Sequence, residues 1–375
     1  MDLAIPEIRR RTVIIAGGGT GGHIYPGVAI ARALIRHHPN IDVVFVGARG
    51  GLEEKIVPRE GFALRLVEVG KLHKSVGLAE RAKTLLKLPR AFFASAAILR
   101  ELRPVAVLGV GGYASGPLVF VAALFGYRAL IWEPNAYPGL ANRLLARIVA
   151  ECLLVFSEAA SHLRARRVTQ SGLPVRSSMR PREASEGRAD GPLRVLVFGG
   201  SQGARAVNLA VSQAVVEGGD WLDGVEVAHQ TGAADWSRVR DAYAGLPATT
   251  RASVQAFEYL HDMDARYRWA DLVVCRSGAS TVAEICACQK AAVFVPLPTA
   301  ADDHQRKNAE ALAKSGAAEL VLQTDFTAAR FKEIVRRYRD DREAVGRLEA
   351  KVRQFQFPNA AEKIVARVLG EESLK

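Results

Sequence analysis

Long apolar runs are missing from this sequence. A helix that crosses a bilayer needs about 18 or more consecutive apolar residues, and the longest candidates here are 118–125 and 91–99. The N-terminal segment, with Asp2, Pro6 and Glu7, lacks the apolar centre of a secretion signal. Cysteine is scarce as well: Cys152, Cys275, Cys286 and Cys288 are the only four. Cys286 and Cys288 are two apart in an expected helix, point to different sides and form no Cys-x-x-Cys unit. All four read as reduced thiols in a cytoplasmic compartment. Aromatic residues make up 7%, and no basic platform interleaved with aromatics offers itself to a nucleic-acid strand. No Asp-x-Asp metal motif lies near either of the phosphate-type turns described below. A dinucleotide-binding domain prefers an acidic residue at the end of its second strand. Here that strand ends Val44-Phe45-Val46-Gly47-Ala48-Arg49. This weakens an oxidoreductase reading without excluding a phosphorylated cofactor.

Glycine-rich turns are abundant. Gly17-Gly18-Gly19-Thr20-Gly21-Gly22-His23 follows the apolar run 13–16, and Gly199-Gly200-Ser201-Gln202-Gly203-Ala204-Arg205 follows 195–198, nearly half the chain later. Each reads as a parallel strand entering a helix through a loop. That unit presents backbone N–H groups and the positive end of a helix to a ligand, often a phosphate. A third turn of this kind, 109–117, also follows a strand. Three such turns are hard to explain by packing alone, because each glycine costs conformational entropy. With 375 residues, 49% hydrophobic and 24% charged, the chain is globular and comfortable for two cores. The expected fold is α/β: two Rossmann-like domains whose parallel sheets face each other across a cleft.

The strands expected in the first half are 12–16, 42–47, 105–110, 129–132 and 153–157. In the second half they are 194–198, 225–230, 253–256, 272–275 and 292–295. Their apolar runs are continuous, as in strands covered by helices on both faces. A helix is expected over 26–37, with Pro26 in its first turn. The apolar signal vanishes between Arg176 and Pro192, which reads as a linker. The expected division is a first domain over 1–175, a linker over 176–192 and a second domain over 193–354. A final helical segment, 355–375, is expected to cross back to the first domain.

Charge is uneven. The formal net charge is +12, which implies an anionic partner. Between Lys71 and Arg103 there are eight basic residues (Lys71, Lys74, Arg81, Lys83, Lys87, Arg90, Arg100 and Arg103) and two acidic ones, Glu80 and Glu101. That excess of six is half of the total. Leu85, Leu86, Leu88, Phe92, Phe93, Ile98 and Leu99 are interleaved with them. A basic, apolar helix of this kind lies on an anionic membrane surface, or else packs its apolar side on its own sheet with its charges in water.

Several residues carry two readings. His23 sits at a helix start, where the positive end disfavours imidazolium, so it is a neutral base or hydrogen-bond donor, or a structural cap. Glu133 and Asn135, at a strand end, are ligand contacts or loop caps. Thr281 to Glu284 fits a capping box, and Glu284 alternatively accepts hydrogen bonds from a pair of vicinal hydroxyls such as a ribose. Asp302-Asp303-His304-Gln305 is a solvated loop or a sugar-binding edge.

Four segments taken together, 18–27, 111–113, 199–204 and 276–281, resemble the MurG family, the bacterial glycosyltransferases that make lipid II for peptidoglycan. The resemblance runs in order over nearly the whole chain. It implies the two-domain GT-B arrangement and a hexosyltransferase acting in cell-wall synthesis, attached peripherally to the cytoplasmic face of the inner membrane. The donor implied is UDP-N-acetylglucosamine and the acceptor lipid I, undecaprenyl-pyrophosphoryl-N-acetylmuramoyl pentapeptide. Neither a metal nor another cofactor is implied. The muramyl 4-hydroxyl would attack the anomeric carbon with inversion, with His23 the best candidate base. Turn N–H groups and helix dipoles would stabilise the leaving UDP.

By the same resemblance, Ser201 and Gln202 lie near the phosphates, the backbone around Leu260 meets uracil, and Glu284 meets the ribose. The turn Gly278, Ala279, Ser280, Thr281, Val282 and Ala283 meets the diphosphate, and His304 and Gln305 touch the N-acetylglucosamine. Thr20, Gly21, Gly22, Asn135 and Arg176 also match donor-contacting positions. An anionic membrane surface would be met through the Lys71–Arg103 region. Other cell-wall or division proteins remain open as partners, and nucleic acid is not expected. The chain departs from the family pattern at Pro134, which has no N–H to donate, at Leu173 and at Gln289. The rival readings are a transferase with another acceptor, a nucleotide-sugar epimerase, an NAD(P) oxidoreductase and a nonenzymatic membrane- or nucleic-acid-binding protein.

Overall fold

A computed structural model describes residues 10–19, 21–69, 78–112, 114–183 and 191–371, without the side chains of 78–87. The chain forms two compact units. One comprises Met1–Pro174 together with Phe357–Lys375, and the other Val175–Gln356.

In the first unit strands and helices alternate: β1 (Arg11–Gly17), α1 (Gly21–His37), β2 (Ile41–Ala48), α2 (Glu53–Arg59), β3 (Ala63–Val67), α3 (Leu78–Leu102), β4 (Ala106–Gly111), α4 (Ser115–Leu124), β5 (Ala129–Glu133), α5 (Leu140–Leu145), β6 (Glu151–Leu154) and β7 (Val168–Gln170). Their sheet has the order β3-β2-β1-β4-β5-β6-β7. Every pairing is parallel, with Ile14 opposite Val44 on one side and Val107 on the other. The strand order reverses between β1 and β4, and ligands of such sheets bind beyond the strand ends at that point.

The second unit repeats the plan with β8 (Leu193–Phe198), α6 (Arg205–Glu217), β9 (Val225–Gln230), α7 (Ala233–Ala244), α8 (Ala248–Ser253), β10 (Val254–Phe257), α9 (Met263–Trp269), β11 (Leu272–Cys275), α10 (Ala279–Cys288), β12 (Ala291–Phe294), α11 (His304–Ala313), β13 (Glu319–Leu320), α12 (Ala328–Asp340) and α13 (Arg342–Val352). The sheet order is β10-β9-β8-β11-β12-β13, again all parallel. The chain ends with α14 (Ala360–Leu369).

The continuous apolar runs become central strands with no exposed face. Val13, Ile14 and Ile15 are buried in one sheet and Val195, Leu196 and Val197 in the other. Helices seal both sheets. Leu118 and Val119 of α4 pack into the first core, and Val207, Val211 and Phe331 into the second. These are two Rossmann-like domains.

Most expected strands are displaced by a single residue, and three boundaries differ for a visible reason. α1 begins at Gly21, so Pro26 lies in its second turn, where it has no N–H to give the Gly22 carbonyl. β6 covers 151–154 rather than 153–157, because Phe156 leads into a short 3₁₀ turn over 157–162. The helical stretch after Phe326 breaks at Asp341, whose carboxylate accepts the Ala344 N–H and caps α13.

The stretch after Val175 packs on the second unit. Arg182 donates to the carbonyls of Arg268 (2.6 Å), Trp269 (2.7 Å) and Ala270 (3.0 Å) and pairs with buried Asp271 at 3.1 Å. A guanidinium thus covers the orphan carbonyls at the C-terminal end of α9. Gln289, at one of the departures from the family pattern, ends α10 with φ +52°. Its side chain donates to Gln356 at 3.1 Å, which offsets part of the roughly 1 kcal/mol cost of a left-handed non-glycine residue. All four cysteines are buried and form no disulfide, and the Cys288 thiol donates to the Met179 sulfur at 3.9 Å. Burial pushes the Cys152, Cys286 and Cys288 thiols up to about 12.

Candidate active site

In the first unit the turns after β1 and β4 touch backbone to backbone. The Gly18 N–H donates to the Gly111 carbonyl at 3.2 Å. A methyl group at Gly17 would collide with Gly111, and one at Gly112 with Gly18. Packing therefore explains these glycines. Gly19 is different: it faces open space with φ +83°, so its backbone conformation is what requires glycine.

His23 is the third residue of α1 and is partly buried. Its ring lies against Gly111, and its Nδ1 faces the Gly18 carbonyl at 3.3 Å. A carbonyl only accepts, so in this contact Nδ1 carries a hydrogen, which in the neutral ring leaves the lone pair on Nε2. That tautomer can take a proton at Nε2. Gly21 is partly buried and Gly22 exposed. Thr20 and Tyr113 lie outside the described residues.

Asn135 sits on the turn after β5, two strands along the sheet from the His23 turn. Buried Glu133 organises that turn. Its carboxylate accepts from the backbone N–H groups of Asn135 (2.9 Å) and Gly139 (3.1 Å) and from the side-chain amides of Asn135 (3.2 Å) and Asn142 (2.8 Å). Burial raises the Glu133 pKa against the pull of these bonds. Glu133 is thus the loop cap, and it aims the Asn135 side chain.

In the second unit Phe198 and Cys275 are paired in register, so the turns after β8 and β11 leave the sheet side by side. Ser201 and Gln202 are exposed on the first. The turn closes through Gly203 N–H to the Gly200 carbonyl at 3.0 Å. It rests on the turn after β9, where a methyl group at Gly203 would strike the Thr231 carbonyl. Gly278 is the N-cap of α10, with open space around it and no side-chain cap. Residues 278–281 are all partly exposed. An uncapped helix start of this kind leaves N–H groups for an anion.

The capping-box reading of Thr281 and Glu284 does not hold. The helix starts at Ala279, and the Glu284 carboxylate accepts the buried Tyr267 hydroxyl at 3.0 Å instead. Burial raises the Glu284 pKa, while the Tyr267 bond and the charge of Arg176 lower it. The fold thus brings Arg176 and Glu284 together.

Gln305 lies in the first turn of α11, and its carbonyl accepts the buried Ser277 hydroxyl at 2.7 Å. Its side-chain oxygen accepts the Leu297 N–H at 3.0 Å. The preceding residues Asp302 and Asp303 both have positive φ, 50° and 56°, and the His304 Nδ1 faces the Ala301 carbonyl at 2.8 Å. This edge is built rather than merely solvated. The Leu260 side chain is buried, and the flanking rings of Tyr259 and His261 stand 4.7 Å apart.

Sequence reasoning missed several supporting residues. Arg276 is buried and donates to the Val295 and Pro296 carbonyls, each at 2.9 Å, and to Gln323 at 2.7 Å. Buried His229 faces Tyr243 Oη at 3.0 Å through Nδ1 and Asn208 Oδ1 at 3.1 Å through Nε2. Asn208 in turn donates to the Thr231 carbonyl (2.7 Å) and Asp235 (2.8 Å). Only Nε2–H can serve the amide oxygen of Asn208, so Nδ1 accepts from tyrosine. Glu53 is the third omission. Each of these side chains bonds mainly to distant groups, so even for Arg276, which opens the 276–281 segment, the sequence does not announce its partners. Among the described residues, no group of three or more His, Cys, Asp or Glu could hold a metal ion.

Two family models match in chain order, the Glycosyltransferase family 28 N-terminal domain over residues 13–154 and the C-terminal domain over 194–364. The chain belongs to glycosyltransferase family 28. This family 28 chain is 45% identical over 362 residues to the UDP-N-acetylglucosamine--N-acetylmuramyl-(pentapeptide) pyrophosphoryl-undecaprenol N-acetylglucosamine transferase of Bdellovibrio bacteriovorus, covering 96% of this chain and 99% of that one. The Myxococcus xanthus protein of the same name is 41% identical, with 94% and 91% covered. Among solved structures, Acinetobacter baumannii MurG superposes with a TM-score of 0.80 at 29% identity, over 96% and 99% of the two chains. The UDP-GlcNAc 2-epimerase of Neisseria meningitidis shares the fold of this family 28 chain at 11% identity and a TM-score of 0.62, over 96% and 100%.

Proposed function

We infer that this protein transfers N-acetylglucosamine from UDP-N-acetylglucosamine to the muramyl 4-hydroxyl of lipid I, releasing UDP and leaving lipid II. The observation that carries the reading is the 45% identity, over 96% of the chain, to a protein whose name states both substrates. In the step itself, the acceptor oxygen bonds to the anomeric carbon as the bond to the UDP oxygen breaks, and the configuration inverts. His23 Nε2 takes the hydroxyl proton. The turn at 278–283, with Ser201 and Gln202, holds the diphosphate through N–H groups that need no metal. Glu284 takes the ribose hydroxyls, the Leu260 backbone the uracil, and His304 with Gln305 the sugar. Thr20, Gly21, Gly22, Asn135 and Arg176 complete the donor contacts.

The membrane-facing surface is the α3 region. Ala91, Ser95, Ile98 and Leu99 of α3 are buried, while Arg90, Phe93 and Arg100 share its outer face. Phe93 is 78% exposed, and Leu124 at the end of α4 is 68% exposed. No helix of the described residues is long and apolar enough to cross a membrane. Peripheral attachment at the cytoplasmic face fits this surface, with basic groups meeting anionic headgroups around apolar side chains. Lys71 and Lys74, and the side chains of Arg81, Lys83 and Lys87, lie outside the described residues.

Purified protein assayed with several UDP-sugars, with and without a lipid I analogue, tests the reaction. Transfer that requires both UDP-N-acetylglucosamine and the analogue is expected. Turnover without the lipid acceptor would point to hydrolysis or epimerisation. His23→Ala is expected to lower turnover by roughly 100-fold, the scale of lost general-base help, with a smaller change in donor binding. Near-normal turnover at saturating acceptor would leave His23 a structural cap.

A further inference from the structure

The glycine turn of the first unit already holds an anion, supplied by the chain itself. Glu53 is 1% exposed. One carboxylate oxygen, Oε2, accepts the Gly19 N–H at 2.8 Å, and Oε1 accepts the Ala48 N–H at 2.8 Å. A methyl group at Gly18, Gly47 or Gly51 would collide with the Glu53 side chain. Three glycines, one in the turn after β1, one in β2 and one in the turn after β2, therefore make room for one carboxylate. A buried charge is tolerated only when its oxygens are hydrogen-bonded, and both are. An incoming phosphate at the Gly19 N–H would have to displace a buried group of its own sign.

We propose that Glu53 is a positioning residue for the transfer reaction, acting through His23. The chain of contacts is short. Glu53 fixes the Gly19 N–H, which sets the peptide orientation of the turn. The Gly18 carbonyl of that turn faces His23 Nδ1 at 3.3 Å and keeps the hydrogen there. The lone pair on Nε2 is then held where a base needs it. Glu53 touches no reacting atom. Its effect is on the tautomer and aim of the imidazole, and the inference rests on His23 being the base.

The experiment is a double-mutant cycle with His23→Ala and Glu53→Gln in the full chain, assayed with UDP-N-acetylglucosamine and a water-soluble lipid I analogue. The amide keeps the shape but turns a donor toward one of the two N–H groups. Glu53→Gln is expected to lower kcat by 10-fold or more, with donor KM within 2-fold of the parent. In the His23→Ala background the same change is expected to cost less than 2-fold, because the residue it acts through is gone. An unchanged kcat in Glu53→Gln, with His23→Ala impaired, overturns the role of Glu53 alone. A loss of equal size in both backgrounds also overturns it and makes Glu53 purely structural. Near-normal turnover of His23→Ala overturns the base assignment, and this inference with it. Should Glu53→Gln fail to fold by circular dichroism, Glu53→Asp, which keeps the charge on a shorter stem, goes through the same cycle with the same readings.

Discussion

Glu284 shows how much a single side chain depends on which partner it finds. Freed from any capping duty, it accepts the buried Tyr267 hydroxyl and feels the charge of Arg176. Glu284→Ala is expected to weaken UDP binding by 10-fold or more, from a charge-assisted bond of about 1.5–3 kcal/mol. It is also expected to lower the melting temperature, because the Tyr267 O–H is left without an acceptor at a cost of about 1–3 kcal/mol. Glu284→Gln separates the two effects: the amide oxygen still receives the tyrosine proton, so stability returns while UDP affinity stays reduced. Equal UDP affinity in the parent and Glu284→Ala, measured by calorimetry, would defeat the ribose role.

At the scale of elements, β9, α6 and α7 are locked by the buried His229 network. Desolvation by burial lowers the His229 pKa from 6.5 to about 3, opposed by the Asp235 charge. The unfolded chain therefore binds a proton below pH 6.5 that the folded chain refuses until about pH 3. Stability from neutral His229 is fully present above 6.5. It falls with pH by about 1.4 kcal/mol per unit across that window, or roughly 2 kcal/mol by pH 5. Urea midpoints between pH 7.5 and 5 should show this loss, and His229→Gln should flatten it. An equal slope in both proteins would remove His229 as its source.

Much of this architecture was readable beforehand, because β1, β4, β8 and β11 are apolar on both faces and stand out as continuous runs. The edge strands β3, β7 and β13 were not. β3 is only intermittently covered and β13 has two residues, so neither carries a run to detect. Site legibility divides the same way. The turns themselves were visible as glycine, since glycine has a local signature. Their supports were not: Glu53 reaches a backbone N–H 34 residues away, and Arg276 reaches carbonyls on the next strand's exit. Such bonds exist only once the sheet has brought the turns together.

For the whole molecule, the proposed membrane attachment rests on the basic excess between Lys71 and Arg103. Reversing Lys83, Lys87 and Arg90 to glutamate should weaken binding to anionic vesicles by roughly 100-fold or more, from about 1 kcal/mol per basic residue near headgroups. High salt should act on the parent in the same direction. Turnover of a short, water-soluble acceptor should be nearly unchanged, because the donor contacts lie on other elements. Vesicle binding like that of the parent would leave α3 a solvated helix face. The route of the chain has a different consequence. The first unit includes α14, whose Arg367 pairs with buried Glu151 at 2.8 Å across 216 residues of sequence. Arg128 covers the Arg367 and Val368 carbonyls at the end of the same helix. At ribosomal speeds of about 5–20 residues per second, Glu151 emerges roughly 10–40 s before its partner. The unit begun first is finished last, and in the interval the Glu151 carboxylate has Arg128 at 4.0 Å and the Thr169 hydroxyl at 2.6 Å but lacks its closest cation. The second unit, contiguous in sequence, can fold while the first is still incomplete. Each nascent copy is thereby kept from completing its first unit until the second has been made.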